Sequence, residues 1–238
     1  MDVYEDVYED EYDQFQRDVH VLIRGTLNAS IRYLDAEMKT QLADIEAAMK
    51  KPLEDEYYEH LVGEHADVLD RNSSQKQFVG NMALVALASR LTHALRAMAR
   101  SAESFSPRKK RYGDTSMSEF HRLWNEYKER FEIDFSANAD RIAFADTMNG
   151  VRNQIVHAGG EANPFKGQDD LHWDSGEAGY LDMRFSEKYP EYVSGTGMSA
   201  EVSVSEEQLG KAIKSSVGLV GWLAGELRKR ELSSINKP

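Results

Sequence analysis

From Gln14 onward the chain places apolar residues at three- and four-residue steps. Phe15, Val19, Leu22, Ile23, Leu27, Ile31, Leu34, Met38, Leu42 and Ile45 follow this spacing, which is that of a buried stripe on a helix. Gly25 or Asn28 is where this helix is expected to bend. Pro52 opens a second helical segment that runs to about Leu69. A third begins at "NSSQKQF", with Ser73 or Ser74 as its cap and Phe78, Met82, Val85, Leu91, Leu95 and Met98 facing inward. "FSPRKKRYGDTS" reads as a loop from its Pro, Gly and polar content.

Ser116 with Glu119 forms a capping-box pattern at the start of a fourth helix, "SEFHRLWNEYKERF". A fifth helix spans about Asn138 to His157, and Gly159 and Gly160 follow it as C-cap residues. The pattern then changes. Between 161 and 204 Gly, Pro, Asp and aromatics replace the helical period, and "YLDMRF" and "AEVSVS" read as strand-like runs of a small hairpin. Ser205 with Gln208 is a second capping box. It opens a last amphipathic helix carrying Leu209, Ile213, Val217, Val220, Leu223 and Leu227. The fold class expected is all-α, a helical bundle with a small β-hairpin insertion before its C-terminal helix. It is expected as one domain over 14–238, preceded by an acidic arm over 1–13.

Charge refines this picture. The net charge is −12 over 238 residues, which by itself disfavours contact with phosphates. Seven of the acidic groups, however, lie in the first thirteen residues (Asp2, Glu5, Asp6, Glu9, Asp10, Glu11 and Asp13), and a basic cluster, Arg108, Lys109, Lys110 and Arg111, sits in the loop after the third helix. The N-terminal run repeats Asp-Val-Tyr-Glu and sets Tyr4, Tyr8 and Tyr12 four apart, one face if helical. A solvated, frayed terminus is the expectation there; an acidic arm covering a basic surface is the alternative. The basic cluster is expected to contact phosphate; an ordinary basic loop, or one that docks that arm, is the alternative. There are no cysteines, which excludes disulfides, a thiol nucleophile and a Cys-based zinc site. With no apolar run near the ~20 residues of a membrane span and no apolar leader, a cytoplasmic protein without membrane contact is expected.

One segment is chemically unusual. "NGVRNQIVHAGGEAN", residues 149–163, carries an Arg, several amides and a His before two glycines, and no Lys or Glu between Asn149 and His157. On a wheel of about 100° per residue, Phe144, Met148, Val151 and Ile155 share a narrow arc. Asn149 and Asn153 lie nearly opposite, flanked by Arg152 and His157 about 140° apart. His157 falls in the last turn, where the helix dipole favours a cation. A proton-transferring imidazole and a fixed guanidinium on one outer face suit phosphoryl chemistry. Spacing alone leaves a second explanation open, in which basic residues simply complement the dipole.

"VRNQIVHAGG" resembles the signature of the HEPN superfamily, an Arg followed after four to six residues by a His, with a polar residue directly after the Arg. Here these are Arg152, Asn153 and His157. "ALASRLTHALR" and the "W..Y...F.IDF" segment before the motif helix are similar to what that family carries, and beyond residues 78–165 the likeness is architectural only. The resemblance implies an HEPN-like helical bundle and a metal- and cofactor-independent RNA endonuclease, as a toxin or anti-phage effector. In it two motifs meet across a homodimer cleft, and the 2′-hydroxyl attacks the neighbouring phosphate to leave a 2′,3′-cyclic phosphate. His157 is then the acid–base group, Arg152 binds the scissile phosphate and Asn153 positions them. RNA is the substrate, with Asn149 and the 108–111 cluster as weaker RNA contacts, and an antitoxin or defence-system protein is the expected partner. A non-catalytic RNA-, nucleotide- or protein-binding HEPN module is the alternative. A toxin subgroup with a nucleotidyltransferase antitoxin carries a modified Tyr two residues after the His; Gly159 stands there in this chain.

Other histidines offer less. "EYYEHLVGEH" sets His60 and His65 five apart, which does not share a face as metal ligands require, so a solvated acidic helix is expected. His93, in an apolar helix, is expected in the core or an interface. Trp173, beside His172, stacks a base or packs the insertion.

Overall fold

The computed structural model describes residues 7–52, 54–105, 119–164 and 183–235. Tyr4, the cluster Arg108–Arg111, Ser116, His172 and Trp173 lie outside the described residues. The chain is mostly helical. Its helices are α1 (Val7–Arg17), α2 (Gly25–Met49), α3 (Asp55–Ser101), α4 (Glu119–Arg130), α5 (Ala139–His157), α6 (Arg184–Lys188) and α7 (Glu206–Ile235). Two short antiparallel strands, β1 (Val193–Ser194) and β2 (Glu201–Val202), form a hairpin just before α7.

α3 is the central element. It packs against α1, α2, α4, α5 and α7, and Leu84, Leu87, Leu91, Leu95 and Met98 are fully enclosed along it. At about 1.5 Å per residue its 47 residues span roughly 70 Å, so its first half projects beyond the bundle. There it pairs with α2 as an antiparallel helical hairpin. Ile45, Leu61 and Val68 form a small apolar cluster of their own, flanked by Met38, Leu42, Ala48 and Met49.

Several expectations are corrected by packing. The break between a second and a third helix does not exist. Asn72, at the expected boundary, is buried inside α3, and its amide Nδ2 donates to Leu34 O of α2 at 2.9 Å. That long-range bond satisfies a polar residue that local rules assign to a cap. Ser73 and Ser74 therefore cap nothing. Phe78 and Met82, expected inside, are 62% and 40% exposed. His93 is exposed on the same helix.

Leu22 is likewise 62% exposed, although it sits in the apolar stripe. The reason is a π-helical segment, Asp18–Arg24, that ends at Gly25. Phe15, Val19, Ile23 and Leu27 are spaced by fours, which drifts around an α-helix; the wider π turn restores the register, leaving Leu22 outside. The N-terminal residues 7–13 are not a solvated terminus. They belong to α1, where Tyr8 and Phe15 are buried and Tyr12 packs closely on Gly221 of α7.

"YLDMRF" does not form a strand in its described part: Arg184 and Phe185 begin α6, and the partner of β2 is β1, with Val193 opposite Val202. The last capping box forms as expected. Ser205 N donates to Gln208 Oε1 at 2.7 Å and Gln208 N donates to Ser205 Oγ at 3.2 Å. By length and composition α3 passes for a membrane span, yet half of its most apolar window is buried inside the protein, as in a core helix.

Candidate functional site

α5 is held along its whole length. Before it, the Asp134 carboxylate accepts from Ser136 N at 2.9 Å and from Ser136 Oγ at 2.8 Å. The backbone N–H first, then the hydroxyl, hold its pKa below the usual carboxylate value. Along the helix, Trp124 Nε1 donates to Asp146 Oδ1 at 3.1 Å, which ties α4 to α5, and Arg141 Nη1 donates to Gly218 O of α7 at 3.0 Å. Ala145, Met148, Val151 and Ile155 are buried, and each of the larger three contributes about 2 kcal/mol by burial. Of the arc the wheel assigns, Met148, Val151 and Ile155 are buried, and Phe144 is half-buried against the core.

The C-terminal end of α5 is fixed by the segment that follows it. Gly159 and Gly160 take φ of 63° and 91°, the left-handed region that favours glycine at a helix stop. Gln154 Nε2 donates to Glu161 O at 2.6 Å, bracing the turn from inside the helix. Val202 N donates to Gly160 O at 2.7 Å and Ala162 N to Ala200 O at 2.9 Å, so the outgoing chain lies along β2. β2 is in turn tied to α3: Asn81 Nδ2 donates to Val202 O at 2.8 Å while Asn81 Oδ1 accepts from Val204 N at 3.1 Å. The hairpin insertion thus acts as a brace for the helix end that carries His157.

The sequence-predicted residues on α5 occupy its outward side. Asn149, Arg152 and Asn153 are half-buried and His157 is exposed. Arg152 Nη1 donates to Asn153 Oδ1 at 2.9 Å, which draws the guanidinium round the helix toward the strip that holds His157. The His157 imidazole makes no hydrogen bond or ion pair among the described residues, and is open to a ligand. Val156, beside it, is 45% exposed.

Two contributions escape sequence patterns. Gln154 is one, because its partner is a backbone carbonyl across a turn. Tyr189 is the other: its side chain lies over Gly150, so that a Cβ there would come within 2.5 Å of the phenol oxygen. An isolated glycine inside a helical pattern is the available signal of such a close approach. Elsewhere, among the described residues, no three His, Asp or Glu side chains converge as a metal site, and His60 is exposed on α3.

No family model, curated protein or solved structure matches this chain.

Proposed function

We propose that the chain is an HEPN-like, metal-independent RNA endonuclease that acts as a toxin or defence effector, with an active site completed by a second copy. The observation that carries this reading is the Arg152–Asn153 hydrogen bond beside an exposed His157 that has no partner among the described residues, at a braced helix end. An arginine held in place matches the charge of a phosphodiester, and a free imidazole on the same face transfers protons.

In the proposed reaction the RNA 2′-hydroxyl oxygen attacks the adjacent phosphorus. One histidine takes the hydroxyl proton, the P–O5′ bond breaks, and the leaving O5′ receives a proton from the second histidine. The products are a 2′,3′-cyclic phosphate and a 5′-hydroxyl, with no change of oxidation state. Arg152 stabilises the extra negative charge that builds on the phosphorane oxygens. Each chain supplies one Arg152–His157 pair, so two acid–base groups require a homodimer. A neutralising protein partner fits a toxin of this kind.

The net charge of −12 favours a second reading, a non-catalytic binding module. Wild type and His157→Ala, purified side by side and incubated with RNA in EDTA, separate the two. Cleavage by the wild type alone supports the nuclease. No cleavage by the wild type supports the binding module, and equal cleavage by both removes His157 from the chemistry.

A further inference from the structure

Tyr189 sits at the end of α6, and its ring is backed by buried Phe185 at a centroid distance of 5.2 Å. Lys188 Nζ lies 5.1 Å from the centre of the Tyr189 ring, a cation–π distance, and Lys188 is exposed. The Tyr189 hydroxyl meets α5 at Gly150 and has no hydrogen-bond partner among the described residues. Gly150, Asn153 and His157 are spaced by three and four, so their Cα–Cβ directions fall within about 60° of one another on the helix. The hydroxyl therefore opens onto the strip that carries Asn153 and His157. Along the axis it lies about 10 Å from His157, and the tilt of Cβ bonds toward the helix N-terminus leans the imidazole toward it. Asp146, further along the same strip, is already engaged by Trp124.

We propose that Lys188 and Tyr189 form the second wall of this site and hold a backbone phosphate of single-stranded RNA next to the one at His157. The ammonium neutralises the phosphate and the phenol donates to a non-bridging oxygen. The ring, with the lysine over one part of it, offers an edge for an adjacent base. Packing of the insertion on α5 needs only the ring; a phosphate needs the hydroxyl and the ammonium. This rests on the proposed RNA substrate but not on cleavage.

The test is the anisotropy of a fluorescently labelled, 2′-O-methylated single-stranded RNA, which the proposed reaction cannot cut, titrated with the full-length protein, for wild type, Tyr189→Phe, Lys188→Gln and Gly150→Ala. Phe at 189 preserves the packing. Gly150→Ala leaves both groups present but pushes the phenol off the strip. Expected are a loss of about threefold in affinity for Tyr189→Phe and about three- to tenfold for Lys188→Gln, the latter with a salt dependence reduced by about one unit of slope. Gly150→Ala follows Tyr189→Phe. Lys229→Gln, which removes the same charge from a lysine paired with Glu226 on α7, binds like wild type. If the three variants bind like wild type, or if the wild type binds no RNA, the proposal is overturned. Binding weakened by these variants, with unmethylated RNA never cut, supports the second wall while contradicting the nuclease; in a cleaving enzyme the same variants raise KM and leave kcat unchanged.

Discussion

Arg152 donates to the side-chain oxygen of its own neighbour, Asn153, at 2.9 Å. The bond turns a long, flexible cation into a directed one on the outer side of α5. Asn153→Ala releases it without disturbing the buried arc. Misplacement of a catalytic charge costs about 10- to 100-fold in turnover, so the variant should lose that much kcat while its melting temperature stays with the wild type. Steady-state RNA cleavage and a thermal melt, run in parallel, check both halves.

The helix stop is a separate determinant. Gly159 has φ of 63° with open space around a would-be Cβ, so Gly159→Ala meets only backbone strain, about 1 kcal/mol. For a chain of this size that lowers Tm by about 2–4 °C. Because the glycine sets the end of α5 next to His157, cleavage should fall more than the stability loss explains. Urea titration of the variant, with activity assayed well below the transition, separates the two effects.

The proposed homodimer brings two motif faces together and covers Val156, which is otherwise 45% exposed. Val156→Asp places an unpaired charge in that contact, and its desolvation opposes association. The expected result is a monomer with unchanged helical content and no nuclease activity, read by sedimentation velocity and circular dichroism. A dimer that survives with full activity would place the interface elsewhere.

Much of this fold is legible in the sequence because it is local. The inward arc of α5, the glycine stop and the Ser205–Gln208 box depend on residues within a few positions of each other, and each forms as its pattern implies. What is not legible depends on distant partners. Asn72 looks like a cap until Leu34 O accepts its amide, and β2 chooses Val193–Ser194 over the more strand-like run before it. Leu22 falls outside because a π turn absorbs the four-residue spacing. At the candidate site the motif residues lie within six positions on one helix and are readable. Tyr189, from within the insertion that follows α5, is announced only by the glycine it covers.

Stability at high pH should respond to one buried phenol. Tyr127 is fully buried and its hydroxyl donates to Leu95 O at 2.5 Å. Burial, with the neighbouring Glu126 charge, raises its pKa well above the ordinary 10.0. The unfolded chain therefore loses this proton first, so stability is intact below about pH 10 and declines by about 1.4 kcal/mol per pH unit above it. Tyr192, raised by burial in the same direction, adds to the decline. In Tyr127→Phe the protein is weaker by about 1 kcal/mol at neutral pH, but its loss between pH 10 and 11 is shallower. Urea unfolding at pH 7, 10 and 11 measures both.

The most direct test of the proposed chemistry is the structure of the ends it leaves. RNA incubated with the purified wild-type protein in EDTA, then analysed by mass spectrometry, should yield fragments with 2′,3′-cyclic phosphate and 5′-hydroxyl termini. Intact RNA, or fragments ending in 3′-hydroxyl and 5′-phosphate, would contradict a metal-independent nuclease built on Arg152, Asn153 and His157.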